Sequence, residues 1–140
     1  MRVVVDTNVL ISGVFFGGIP GRVLSAWAVG HFDPVLSPPI LDEDLRVGRE
    51  LARRHPDLGA RLTPLLALVT THATLVDAPP LAQPVSADPA DEMFLAAARA
   101  AGAGLIVSGD RHLLAVPGWC GIAVLKPRQF ATQHLAAFDS

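Results

Sequence analysis

With 140 residues, 51% of them hydrophobic, the chain has material for one buried core in a single domain without covalent staples. A net charge of -2 and a pI near 6.2 exclude nucleic-acid binding by overall basicity, leaving only a local strip of basic side chains for that purpose. Mean hydropathy is +0.42, yet no apolar run reaches membrane-span length and the first one contains Asp6, so neither a transmembrane segment nor a signal peptide is expected and a cytoplasmic location follows.

Val3-Val4-Val5 is short, β-branched and uninterrupted, the pattern of a strand covered on both faces in a parallel sheet. It stops at Asp6, and Thr7 and Asn8 lead into an apolar stretch, Val9 to Phe16, that reads as a helix. Asp6 thus stands at the carboxyl end of a buried strand, where open α/β sheets place their ligand crevices, although Asp there also serves as a helix cap. The breaker cluster Phe16 to Gly21 predicts a loop, and Arg22 to Val29 a short helix. Asp33 to Ser37 reads as a turn and a brief strand. Ser37 followed by Pro38 opens a helix expected to run from Pro38 to Arg54 and to stop at His55-Pro56. A second helical stretch, Asp57 to Thr71, is expected to kink or restart at Thr63-Pro64.

Thr74 to Val76 is a third strand and Ala78 to Val85 a loop. Asp88-Pro89-Ala90-Asp91 opens an alanine-rich helix, Met93 to Ala101, closed by Gly102. Leu105-Ile106-Val107 is a further buried strand, ending in Ser108-Gly109-Asp110; Gly121 to Leu125 is the last strand, before a short terminal helix. Strands alternating with helices call for parallel strands joined by right-handed crossovers.

Two such strands ending in aspartate bring Asp6 and Asp110 to one edge of the sheet. Carboxylates so placed repel each other unless a cation or a proton intervenes, and oxygen donors select Mg2+ or Mn2+. Asp91, in the first turn of its helix, and Glu43, in the second turn of its own, begin at the same edge. Asp88 reads as the cap of the helix that Asp91 enters, and Asp91 suits either a cap arrangement or a ligand. On a helical wheel Asp44 falls inside the apolar stripe, Glu43 on its flank and Asp42 outside, which leaves open whether Glu43 or Asp44 reaches inward. Five scattered histidines give no zinc signature. The single cysteine, Cys120, has no histidine nearby and reads as a small buried apolar residue. Arg46, Arg49 and Arg53 recur at helical spacing, mainly as a solvated face pairing with Glu50; Arg111 is kept as a phosphate-contacting candidate.

Four of these segments, Val-Val-Val-Asp6-Thr7-Asn8-Val9-Leu10-Ile11-Ser12, Ser37 to Glu43, Asp88-Pro-Ala-Asp91 and Val107-Ser108-Gly109-Asp110-Arg111-His112, resemble in order and spacing those of a PIN domain. The terminal Pro127-Arg128-Gln129-Phe130 resembles the closing motif of a bacterial branch similar to the VapC-like toxins of toxin-antitoxin pairs. The resemblance implies a three-layer α/β/α fold with a five-stranded parallel sheet in the order 3-2-1-4-5. It also implies Mg2+- or Mn2+-dependent cleavage of RNA, with Asp6, Glu43, Asp91 and Asp110 as catalytic and metal-binding acids. Glu43 is taken over Asp44 on the motif alone, Asp44 standing where the family usually has an apolar or aromatic residue. Thr7, Asn8, Ser12 and Ser108 are candidates to orient water or phosphate around those acids, or plain cap and turn residues. A small antitoxin protein and a homodimer are the partners that the resemblance implies. The alternative is a non-catalytic PIN-like module that binds RNA or protein. A phosphoacceptor receiver domain fits less well, because the sole lysine, Lys126, precedes a proline and does not end a buried strand.

Overall fold

Three consecutive valines, each at most 4% exposed, make β1 (Arg2–Val5) the central strand of a five-stranded parallel sheet. The computed structural model describes residues 1–116 and 118–136, apart from the side chain of Val69. β1 pairs on one side with β2 (Asp33–Leu36), which pairs in turn with the short edge strand β3 (Thr74–Leu75). On the other side it pairs with β4 (Leu105–Val107), and β4 with the edge strand β5 (Ala123–Leu125). The order is therefore 3-2-1-4-5, as the resemblance implied. The direction of travel across the sheet reverses after β3, and right-handed crossovers then place the connecting helices on opposite faces before and after that reversal. The reversal leaves a crevice between the carboxyl ends of β1 and β4, where Asp6 and Ser108 directly follow the paired residues Val5 and Val107.

The helices are α1 (Thr7–Phe16), α2 (Gly18–Ala28), α3 (Pro38–Arg54), α4 (Pro56–His72), α5 (Glu92–Ala101), α6 (Arg111–Leu114) and α7 (Pro127–His134). α3 has the bounds read from the sequence, and Ser37 Oγ accepts the amide of Ile40 at 3.4 Å as its cap. Two expectations fail. The breaker cluster is not a loop: two adjacent glycines, Gly17 (φ 62) and Gly18 (φ 58), turn the chain between the helices, and Pro20 lies in the first turn of α2, where its missing N–H would have had no partner. The restart at Pro64 is not found either: α4 continues through it, its packing against α3 outweighing the local loss of one main-chain hydrogen bond. Cys120 is a third correction: it is exposed, in a turn with a left-handed backbone (φ 52), and is not buried.

The core closes around three fully buried aromatics. Phe32, just before β2, lies between Trp27 of α2 (ring centroids 6.4 Å apart) and Phe130 of α7 (5.3 Å, edge to face), which fastens α7 to α2 and β2. α3 and α4 form a hairpin packed tightly at Gly59, where an added Cβ would collide with Ala52 of α3. Gly59→Ala is expected to lower the urea midpoint, by about 1 to 3 kcal/mol of stability. An unchanged midpoint would show that the hairpin spreads at no cost. Among the described residues no single helix is long and apolar enough to cross a membrane.

Candidate metal centre

The site is assembled from strand ends and helix starts. The Asp6 amide continues the β1–β4 ladder, donating to Val107 O at 3.0 Å, while its side chain turns to cap α1, Oδ1 accepting from Asn8 N at 3.2 Å. Ser108 Oγ bridges the two strand ends: it donates to Asp6 Oδ2 at 2.6 Å and accepts from Asp110 N at 2.9 Å. Asp110 caps α6 through His112 N, at 2.7 Å. From the other side a 3-10 turn, Pro89–Asp91, precedes α5 and is capped by Asp88, whose Oδ1 accepts from Ala90 N at 3.0 Å. The turn carries Asp91, only 5% exposed, up to Asp110. Asp88, Asp91 and Asp110 each offer a carboxylate oxygen, and these atoms all lie within 4.8 Å of one another.

The profile of the PIN domain family matches residues 2–112, a span containing every acid named so far. The chain belongs to the PIN domain family. No curated protein matches it. The fold of this PIN domain is thus of the nuclease type, and its acidic cluster is compatible with a divalent metal.

Electrostatics support that fit. Burial, then the charge of Asp110 and a hydrogen bond shared with it, then Asp88 and Asp6, push the Asp91 carboxyl up to about 7. The Asp6 carboxyl is also raised, first by burial and to a smaller extent by Asp110, against the lowering effect of the Ser108 and Asn8 hydrogen bonds. Acids that resist ionisation together need positive charge between them, and a donor set of oxygen alone suits a hard cation such as Mg2+ or Mn2+.

The PIN domain does not bring Glu43 into this group. Glu43 turns along the α3 surface to Arg46, accepting at 2.6 and 3.1 Å, and that partner first of all holds its carboxyl below the usual range. Asp44 points inward instead: it is 2% exposed and accepts a 2.5 Å hydrogen bond from Thr7 Oγ1. Burial, then the charges of Asp6 and Glu43, raise its carboxyl to about 7 despite that hydrogen bond. The apolar stripe of α3 dictates this, since residue 44 faces the sheet and residue 43 its rim. Of the other expected site residues, Asn8, Ser12 and Asp110 line an open cleft of about 410 Å³, together with Gly109 and Pro127. Arg111 is exposed at the start of α6, beside Asp110. Arg53 and Arg54 pair with Glu50 at 3.4 and 3.1 Å, so this part of α3 is a solvated charged face.

Sequence reasoning passed over Asp88 as an acid near the centre and Ser86 altogether. Asp88 is the cap it was read to be, but capping occupies one oxygen and leaves a carboxylate beside Asp91. Ser86 is 7% exposed; its Oγ accepts from Asp88 N at 3.3 Å and lies 3.5 Å from Asp91 Oδ2, an arrangement visible only once the preceding loop is placed.

Proposed function

We propose that this PIN domain is a Mg2+- or Mn2+-dependent endoribonuclease that hydrolyses phosphodiester bonds in RNA, acting in the cytoplasm as the toxin of a toxin-antitoxin pair. The observation that carries the reading is the convergence of Asp88, Asp91 and Asp110 within ligating distance, next to Asp6. Asp88, Asp91 and Asp110, with Asp6 beside them, would hold the cation, and Glu43 would join them only by giving up its exposed pairing with Arg46, an exchange that costs little because exposed ion pairs contribute little. A divalent ion held there would supply charge neutralisation at the phosphate and would lower the pKa of a bound water towards neutrality. Ser108 keeps Asp6 and the Asp110 main chain in register. Thr7 fixes Asp44 behind them. Asn8 and Ser12 face the cleft in which a phosphate would be oriented, and Arg111 at its rim contacts the backbone beyond.

A groove of about 610 Å³ between α3 and α4, lined by Leu41, Leu45, Leu62 and Leu66, supports the further expectation of a protein partner, an antitoxin or a second copy. The deciding experiment incubates purified protein with single-stranded and structured RNA, in Mn2+ and in EDTA, alongside Asp6→Asn. Cleavage in Mn2+ that EDTA and the substitution both abolish is the expected result. RNA binding without cleavage under every condition would replace the enzyme by a non-catalytic module.

A further inference from the structure

A lysine stands in the same row of the sheet as the acids. The ladder runs on past the strand ends: Asp6 N donates to Val107 O at 3.0 Å, and Ser108 N to Leu125 O at 2.9 Å. Val5, Val107 and Leu125 are paired in register, so the residues that follow them, Asp6, Ser108 and Lys126, form the next row across β1, β4 and β5. Two strand steps of about 4.8 Å put the Lys126 main chain roughly 10 Å from that of Asp6, with Ser108 between them. Lys126 is the first residue beyond the half-exposed edge strand β5, and its backbone is fixed: its amide donates to Gln129 Oε1 at 3.0 Å and its carbonyl accepts from Phe130 N at 2.9 Å. Its side chain is exposed.

This cation is joined to the acids by the open cleft of about 410 Å³, which Asp110, Asn8 and Ser12 line at one side and Pro127, the neighbour of Lys126, at the other. Arg128, in the first turn of α7, is exposed beside it. Neither cation has an ion-pair partner among the described residues, whereas Arg46, Arg53 and Arg54 of α3 each pair with a glutamate. A cleft with acids at one end and unpaired cations at the other suits a polyanion held through a metal at one phosphate and by direct charge at the next. We propose that Lys126, with Arg128 beside it, binds the RNA phosphate adjacent to the one held at the acids, so that the substrate strand crosses the carboxyl edge of the sheet from β1 towards β5. The proposal rests on the nuclease reading for the identity of its anion. Contacts of this kind set affinity and the register of the strand and carry no base preference.

Binding of a fluorescently labelled single-stranded RNA, followed by anisotropy in EDTA across a salt series, tests the site without cleavage. Lys126→Gln is expected to reduce the slope of log Kd against log salt by about 0.7, one phosphate contact, and Lys126→Gln combined with Arg128→Gln by about 1.4. Lys126→Arg should restore the wild-type slope. Arg61→Gln, which removes an equal charge from α4, should leave it unchanged. In Mn2+, Lys126→Gln should raise the KM for RNA about fivefold, the most that an exposed charge pair usually gives, with kcat within about twofold. An unchanged slope and KM in Lys126→Gln, or an equal loss in Arg61→Gln, overturns the phosphate site. Cleavage in Mn2+ that ignores Lys126 leaves the nuclease and removes the phosphate site. A slope that depends on Lys126 in a protein that never cleaves does the reverse. RNA that is neither bound nor cut overturns both.

Discussion

Asp91→Asn is expected to abolish metal-dependent cleavage and at the same time to stabilise the metal-free protein above neutral pH. The first effect, at least about a thousandfold in rate or roughly 4 kcal/mol of barrier, follows from removing a carboxylate at the centre of the cluster. The second follows from linkage. The Asp91 carboxyl titrates near 7 in the folded chain against 3.8 for an ordinary aspartate, so folding favours its protonated form. That contribution to stability is whole below the unfolded value, declines as pH rises, and is gone above about 7. Asp44, also raised to about 7, acts with the same sign. In EDTA the wild-type Tm should therefore fall between pH 5 and pH 8 by on the order of 10 °C, since each such carboxyl loses roughly 2 to 3 kcal/mol over that interval. The fall should be shallower in Asp91→Asn, and Mn2+ at pH 8 should restore the wild type more than the variant. Parallel melting profiles for the two proteins would place the repulsion elsewhere.

Glu43→Gln and Asp44→Asn should separate the two neighbouring acids of α3. If Glu43 releases Arg46 to meet a cation, Glu43→Gln raises the Mn2+ concentration needed for half-maximal cleavage by at least about tenfold, the smallest loss usual even for an outer partner of a metal ligand. Its metal-free Tm at pH 8 should rise only slightly, because the Glu43 carboxylate stands at the rim with a solvated partner and is the smallest of the influences raising Asp44. Asp44→Asn has the opposite signature. It keeps an acceptor for Thr7 while removing a buried charge beside Asp6, so metal-free Tm at pH 8 rises and the Mn2+ requirement changes less. A larger Mn2+ effect from Asp44→Asn would make residue 44 the ligand. Both quantities come from one cleavage titration and one melting series.

The difficulty with this pair shows where sequence reasoning succeeds and where it stops. Period and burial are written into α3, so the wheel puts Asp44 inward and Glu43 on the flank, as the structure has them. Which partner an exposed glutamate takes is a rotamer choice between Arg46 and the crevice, and no periodicity encodes it. Asp6 and Asp110 were legible because each ends a run of buried β-branched residues, a pattern that fixes a side chain to a sheet edge. That their strands are neighbours came from the family motifs, since strand order depends on long-range packing. Gly17 and Pro20 misled because a proline breaks a helix only beyond its first turn, and the position of that turn was set by the left-handed pair Gly17 and Gly18. Cys120 was misread because composition favours burial, whereas the turn between Gly118 and Gly121 carries it outward.

Asp6, Asp88 and Asp110 share a local geometry, each accepting the main-chain amide two residues onward, from Asn8, Ala90 and His112. Anchored in this way, their carboxylates are oriented by the folded backbone and not by whatever inorganic ion arrives. Folding should thereby not wait for loading, which adds stability to a chain already folded, unlike in small zinc modules that collapse only around their metal. Starved of divalent ions, the protein should remain intact and resistant to proteolysis but idle, and it should resume work as fast as ions diffuse back.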